Sequence, residues 1–244
     1  MIPARGKKQS TGQRVDARTE RWREHRIKVR NEFVDAAFRA LDKFGPDVSM
    51  DDIAKEAGAA KPKLYRHFED KIDLYNAIVD RTQELLWERL IASVNLLNDT
   101  TRELVRRGAA EYALVVTEHP NAFRFMVHSH FTQQADESER ALQSARQYAR
   151  RAAVLLAETL DHRSVDIDRA ELTIYTVFGT VASATDWWLG ASRNRPLPMP
   201  IEQFVDYLAT TISSIAESNA RMNGVLIAPE QPLHLAFSMT EPTE

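Results

Sequence analysis

The chain has 244 residues, 43% of them hydrophobic and 27% charged, with a formal net charge of −3. That length fits one large domain or two smaller ones, and the apolar content is enough for a buried core. The absence of cysteine excludes disulfides and thiolate metal sites, and the 8 glycines, set among abundant Ala, Leu, Glu and Arg, favour helices over turn-rich sheet.

The first 24 residues are polar and rich in Arg and Lys, with almost no apolar period, and read as a flexible basic arm. No apolar stretch follows them, so no secretory signal is expected, and no apolar run anywhere reaches the ~18 residues of a membrane span. A cytoplasmic protein is expected. The charge is unevenly spread. Residues 1–71 carry 17 Lys/Arg against 12 Asp/Glu, whereas the remainder carries 15 against 23. The basic part would be drawn to a polyanion, with Arg14, Arg18, Arg21 and Arg23 of the arm as candidate phosphate or minor-groove contacts, although a merely solubilising basic tail would give the same count.

Apolar periodicity begins near Ile27. Val29, Phe33, Ala36, Ala37, Ala40, Leu41 and Phe44 recur at steps of three and four and mark one buried helix face. Gly45-Pro46 stops that helix. Ser49 is placed to cap a short second helix, with Asp52 three residues on, where a capping box places Glu or Gln, and Ile53, Ala54 and Ala57 face inward. Gly58 breaks the helix at a turn through positive φ. A third short helix is predicted from about Ala60 to His67, and Asp70 caps a long fourth helix reaching about Leu97.

Three helices with a tight glycine turn between the second and third have the layout of a helix-turn-helix, whose last helix enters the DNA major groove. Leu64 and Phe68 lie four residues apart and should pack inward. Lys61, Lys63, Tyr65, Arg66 and His67 are left for the other faces. Lysine donates to guanine acceptors or to phosphate, and tyrosine mostly to phosphate. Lys71 opens the next helix, where free backbone N–H groups also favour an anion.

The run Ser49-Met50-Asp51-Asp52-Ile53-Ala54-Lys55-Glu56-Ala57-Gly58, followed by Leu64-Tyr65-Arg66-His67-Phe68 and Lys71, resembles the DNA-binding domain of TetR-family regulators over roughly residues 26 to 80. The resemblance implies an all-α homodimer: a small N-terminal helix-turn-helix domain, here 25–71, and a larger helical ligand-binding and dimerisation domain, here 72–223. It further implies double-stranded operator DNA and a small-molecule effector as partners, with no cofactor. By match to the motif, Ser49, Tyr65, His67 and Lys71 would contact phosphates, and Lys61, Pro62 and Lys63 would sit at the base-reading end. Ala60 stands where the family usually has Ser, and Pro62-Lys63 where Gly-Thr is common. These departures fall on the base-reading tip, so an operator sequence does not transfer from relatives.

Beyond the motif, helices are predicted over about Thr101–Glu118, Asn121–Phe131, Glu137–Leu160, Ile167–Ala191 and Ile201–Asn223, with no strands, and 224–244 reads as an extended tail. The resemblance implies that the last two long helices pair with their copies in a dimer. A ligand pocket is expected between helices of the central bundle, with Trp87, Tyr112, Phe123, Met126, Phe131, Tyr148, Phe178 and Trp187 as candidate lining residues. Phe125, His128 and Asn121 are weaker candidates. The weight of large apolar side chains points to an apolar or amphipathic ligand. His128-Ser129-His130 is not expected to bind metal, because residues two apart on a helix point in different directions.

Two other functions would leave different signatures. An enzyme would need a chemical motif, and the sequence has no Gly-rich phosphate loop, no Gly-x-Ser-x-Gly and no His-Glu-x-x-His. A constitutive DNA-binding protein would share the N-terminal motif but fill its C-terminal core, so a cavity would separate it from a ligand-controlled repressor.

Overall fold

The computed structural model describes residues 17–132, 135–160, 165–190 and 198–239, with the side chains of 17–19, 127–141 and 239 outside the description. Among the described residues the architecture is all-α apart from one small hairpin. The helices are α1 (Ala17–Phe44), α2 (Met50–Glu56), α3 (Lys61–Leu64), α4 (Lys71–Ser93), α5 (Thr101–Glu118), α6 (Pro120–Thr132), α7 (Ala135–Thr159), α8 (Ile167–Leu189) and α9 (Ile201–Met222). Among the described residues, no helix is long and apolar enough to cross a membrane.

Two apolar cores organise the chain. The first joins Phe33, Ala37 and Leu41 of α1, Ile53 of α2, Leu64 of α3, Phe68 and the start of α4, with Leu74 and Ile78. The second joins Ala113 and Val116 of α5 to Trp188 of α8 and Phe204 and Leu208 of α9. Trp188 is its centre. The indole is fully buried, stacks on Phe204 with ring centroids 4.1 Å apart, and donates Nε1–H to the Met199 carbonyl at 3.0 Å. That hydrogen bond satisfies the one polar atom of an otherwise apolar side chain.

Helix α6 belongs to both cores. Ala122 and Phe125 pack into the first, Phe123 into the second, and Met126 touches each. Arg124 of the same helix donates to the Leu189 carbonyl at 2.8 Å and the Gly190 carbonyl at 3.3 Å, covering the otherwise unsatisfied C-terminal end of α8.

Three expectations are corrected. The arm does not run to residue 24, because α1 is already helical at Ala17, carried by good helix formers and side-chain pairs such as Glu20–Arg23 rather than by a buried face. Helix α4 ends at Ser93, short of Leu97, where Val94 turns to an extended conformation. The segment after α9 is not simply extended: strands β1 (Val225–Ile227) and β2 (Phe237–Met239) pair antiparallel. Three-residue strands are too short to show a period of two. The hairpin is tied back to the head of α5, where the Thr101 and Arg102 N–H groups donate to the carbonyls of Gln231 and Pro229, each at 3.0 Å.

Candidate nucleic-acid interface

The local sequence explains why α3 stands where it does. Ser49 and Asp52 close a full capping box: the Asp52 N–H donates to the Ser49 hydroxyl, and the Ser49 N–H donates back to the Asp52 carboxylate, both at 3.2 Å. At the other end of α2, the Gly58 N–H reaches the Lys55 carbonyl at 3.0 Å and the Ala59 N–H the Ala54 carbonyl at 2.9 Å. This is a Schellman stop, and it needs Gly58 at φ 62°. The turn is therefore fixed at both ends, and α3 leaves it at a set angle.

Helix α3 is a single regular turn, shorter than the expected span to His67. Ala60 occupies the cap position without a side-chain hydrogen bond, and Pro62 sits in the first turn, where its missing N–H does no harm. Past Leu64 the chain tightens, with Arg66 and His67 N–H groups bonding three residues back. Leu64 and Phe68 are buried, as their spacing predicted, and Lys61, Pro62, Lys63, Tyr65 and Arg66 are exposed together on the outer side.

The expected contact residues are not equivalent. Lys63 and Tyr65 stand open at the tip. Lys61 forms an exposed ion pair with Asp51 at 3.0 Å, which raises its pKa, and such a pair is cheap to break. The hydroxyl of Ser49 is engaged in its capping box. Lys71 is exposed at the start of α4, beside the capping carboxylate of Asp70. His67 is half-buried behind the tip, its ring 5.7 Å from that of Phe33. Burial, and then the field of Arg26, Lys63, His25 and Arg30, holds its pKa below 6.5.

One residue central to this geometry was not singled out from sequence. Arg30 of α1 donates to the His67 carbonyl at 2.6 Å and, through both terminal nitrogens, to the Asp73 carboxylate at 3.1 and 2.6 Å. Its guanidinium also lies 4.2 Å from the centroid of the Phe68 ring. A single side chain thus ties α1 to the end of α3 and the start of α4. The pairing keeps the Asp73 carboxyl below its ordinary pKa. The available signal was an arginine on the apolar stripe of α1, between Val29 and Phe33.

The residues proposed for a ligand pocket fall into separate groups. Tyr112, Phe123 and Met126 lie in or against the second core, and the Tyr112 hydroxyl is 2.7 Å from that of Thr185. Burial pushes the Tyr112 phenol up to about 12. Trp87 and Tyr148 meet between α4 and α7, with Arg151 stacked 4.2 Å from the indole and Glu84 accepting from the Tyr148 hydroxyl at 2.6 Å. Phe178 is half-buried on α8, and Trp187 points out to solvent. The side chains of Phe131, His128 and His130 lie outside the described residues. A cavity of about 470 Å³ lies elsewhere, between the ends of α7 and α9, the start of α8 and the hairpin. Leu156, Ile174, Ala220 and Phe237 form apolar walls, and Arg169 and His234 are polar lining residues; none of the expected pocket residues is among its walls.

Comparison with known proteins identifies the assembly. The family described as "Bacterial regulatory proteins, tetR family" matches residues 33–78, and "Tetracyclin repressor-like, C-terminal domain" matches residues 96–225. A protein of Mycobacterium tuberculosis described as an uncharacterized HTH-type transcriptional regulator is 34% identical over 199 residues, covering 80% of each chain. The chain belongs to the TetR family. It is a transcriptional regulator whose N-terminal helix-turn-helix binds DNA, and the family's members are transcription factors rather than enzymes. A TetR-family regulator from Streptomyces coelicolor has the same fold, with a TM-score of 0.60 at 23% identity, covering 82% of this chain and 83% of its own. One from Rhodococcus sp. aligns with a TM-score of 0.58 at 20% identity over 76% of this chain and 97% of its own.

Proposed function

We propose that this TetR-family protein is a homodimeric repressor that leaves its operator when an apolar or amphipathic small molecule binds its C-terminal domain. The observation that carries the reading is the exposed Lys61-Pro62-Lys63-Tyr65 tip, held by a two-ended α2 cap and the Arg30 clasp. Lys63 is assigned to base edges in the major groove. Tyr65, Lys61, Lys71 and Ser49 are assigned to the flanking phosphates, with His67 behind them.

Dimerisation is assigned to α8 and α9. Leu172, Thr176, Gly179, Ser183 and Trp187 recur at steps of three and four along α8, and all are exposed, Leu172 by 63% and Trp187 by 60%. An exposed face with a large apolar residue near each end and small residues between suits close packing against a second copy. Trp187 therefore belongs to this face rather than to a ligand pocket. The cavity of about 470 Å³ is of a size for a small organic ligand, and it adjoins the same two helices. Its presence favours a ligand-controlled regulator over a constitutive DNA-binding protein. Helix α6, packed into both cores and bonded to the end of α8, supplies the route by which a shift in the C-terminal domain reaches the reading head.

Selection from randomised duplexes tests the reading, together with sedimentation of the purified chain. The expected outcome is an inverted repeat with half-sites about one DNA turn, ~34 Å, apart, bound by a dimer that Trp187→Glu converts to monomers. A monomeric wild-type chain, or enrichment of no repeated half-site, would refute it.

A further inference from the structure

The helix that packs the first core begins well before that core does. Among the described side chains of α1, Val29 is the first that is buried, yet the helix starts at Ala17, so twelve residues, about 18 Å of helix, precede it. The face they present is not random. At 100° per residue, the side of α1 that buries Phe33, Val34 and Ala37 continues N-terminally through Arg30, Arg26, Arg23 and Trp22. The side facing the core thus changes from apolar to cationic where the core ends. Trp22 is 66% exposed on it. Arg26 closes no hydrogen bond or ion pair with a described residue, and Arg23 has one exposed pair, with Glu20 at 2.6 Å. The carboxylates of this stretch, Glu20 and Glu24, fall toward the outer side of the helix.

Arg30 fixes where that face points, because its guanidinium lies on the His67 carbonyl at the end of the reading head. Arg26 stands one turn further out and Arg23 about two. The positive field that Arg26 and His25 exert on His67, alongside Lys63, agrees with this placement.

We infer that the N-terminal extension of α1 is a second DNA-contacting element, in which Arg23 and Arg26 neutralise duplex phosphates next to those engaged by the helix-turn-helix. The inference rests on the DNA-binding reading of α3 and extends it. The occupant is argued from charge and from continuity: a polyanion is the partner that a cationic face beside a DNA-reading tip fits. Such contacts add affinity without reading sequence, and they release counterions.

The test compares the full-length protein with Arg23→Gln/Arg26→Gln, measuring affinity against salt on the selected operator and on an unrelated duplex. Each phosphate neutralised contributes ~0.9 to the slope of log K against log salt, so the variant should lose about 1.8 per bound protomer. Between 50 and 200 mM salt, that makes its affinity about tenfold less salt-sensitive per protomer, equally on both duplexes. Arg23→Lys/Arg26→Lys keeps the charge and should restore the slope. An unchanged slope, a loss confined to the operator, or no rescue by lysine overturns the inference. Lys63→Ala, measured alongside, separates the two readings: if it leaves operator preference intact, the placement of the reading head fails, whatever the salt slopes show.

Discussion

Replacing Arg30 by alanine tests the clasp that sets the reading head. Its guanidinium makes a forked pair with Asp73, a third hydrogen bond to the His67 carbonyl and a stacking contact with Phe68. Charge-assisted hydrogen bonds are worth about 1.5–3 kcal/mol and an exposed cation–π contact about 0.5–1 kcal/mol. The side chains of Arg30 and Asp73 are 33% and 31% exposed, so solvent screens part of this. A net loss of about 2 kcal/mol remains, which for a chain of this size lowers Tm by about 4–8 °C. Thermal unfolding followed by circular dichroism reads it directly. The pH dependence is a second check. The folded-state pKa of Asp73 lies below 3.8, so its stabilisation is present above that value and is lost as pH falls through the folded pKa. The difference between wild type and Arg30→Ala should therefore narrow below about pH 4. Lysine at position 30 should restore less than half of the loss, since it lacks the fork. A variant melting within about 1 °C of wild type at pH 7, or a difference that persists undiminished in acid, would refute the reasoning.

Trp188→Ala removes the buried centre of the second core and should cost about 3–5 kcal/mol in urea unfolding, whereas the exposed neighbour Trp187→Ala should leave the protomer's own stability nearly unchanged. His67 has a folded pKa below 6.5, so the folded chain binds fewer protons there than the unfolded chain. Stability should fall as pH drops below about 6.5, and His67→Gln should flatten that dependence in urea titrations between pH 7.5 and 5.5.

The fold was legible where the chain obeys a single period. Helices α5 to α9 were read within a few residues of their observed ends, because Pro, Gly and capping residues punctuate them. The Ser49–Asp52 box and the Gly58 stop were visible as spacing alone. What escaped falls into two kinds. Elements without a buried face escaped, such as the start of α1, where helix formation rests on propensity and short-range pairs. Contacts made at long sequence separation also escaped, such as Arg30 to Asp73 and the hairpin to α5, because no local pattern announces them. Among the described residues, the candidate pocket aromatics lie in separate groups for the same reason. Large aromatics mark interior faces in general, and whether they surround space or fill it is decided by packing across helices. Trp187 and Trp188 are adjacent in sequence, one exposed and one fully buried, and only helix phase separates them.

Operator reading is assigned to the tip of α3. Fluorescence anisotropy of wild type, Lys63→Ala and Tyr65→Phe on the selected operator and on a scrambled duplex tests it most directly. Lys63→Ala should cost about 1–3 kcal/mol on the operator and little on the scrambled duplex, and Tyr65→Phe should weaken both to a similar degree. Unchanged operator affinity in both variants would contradict the account.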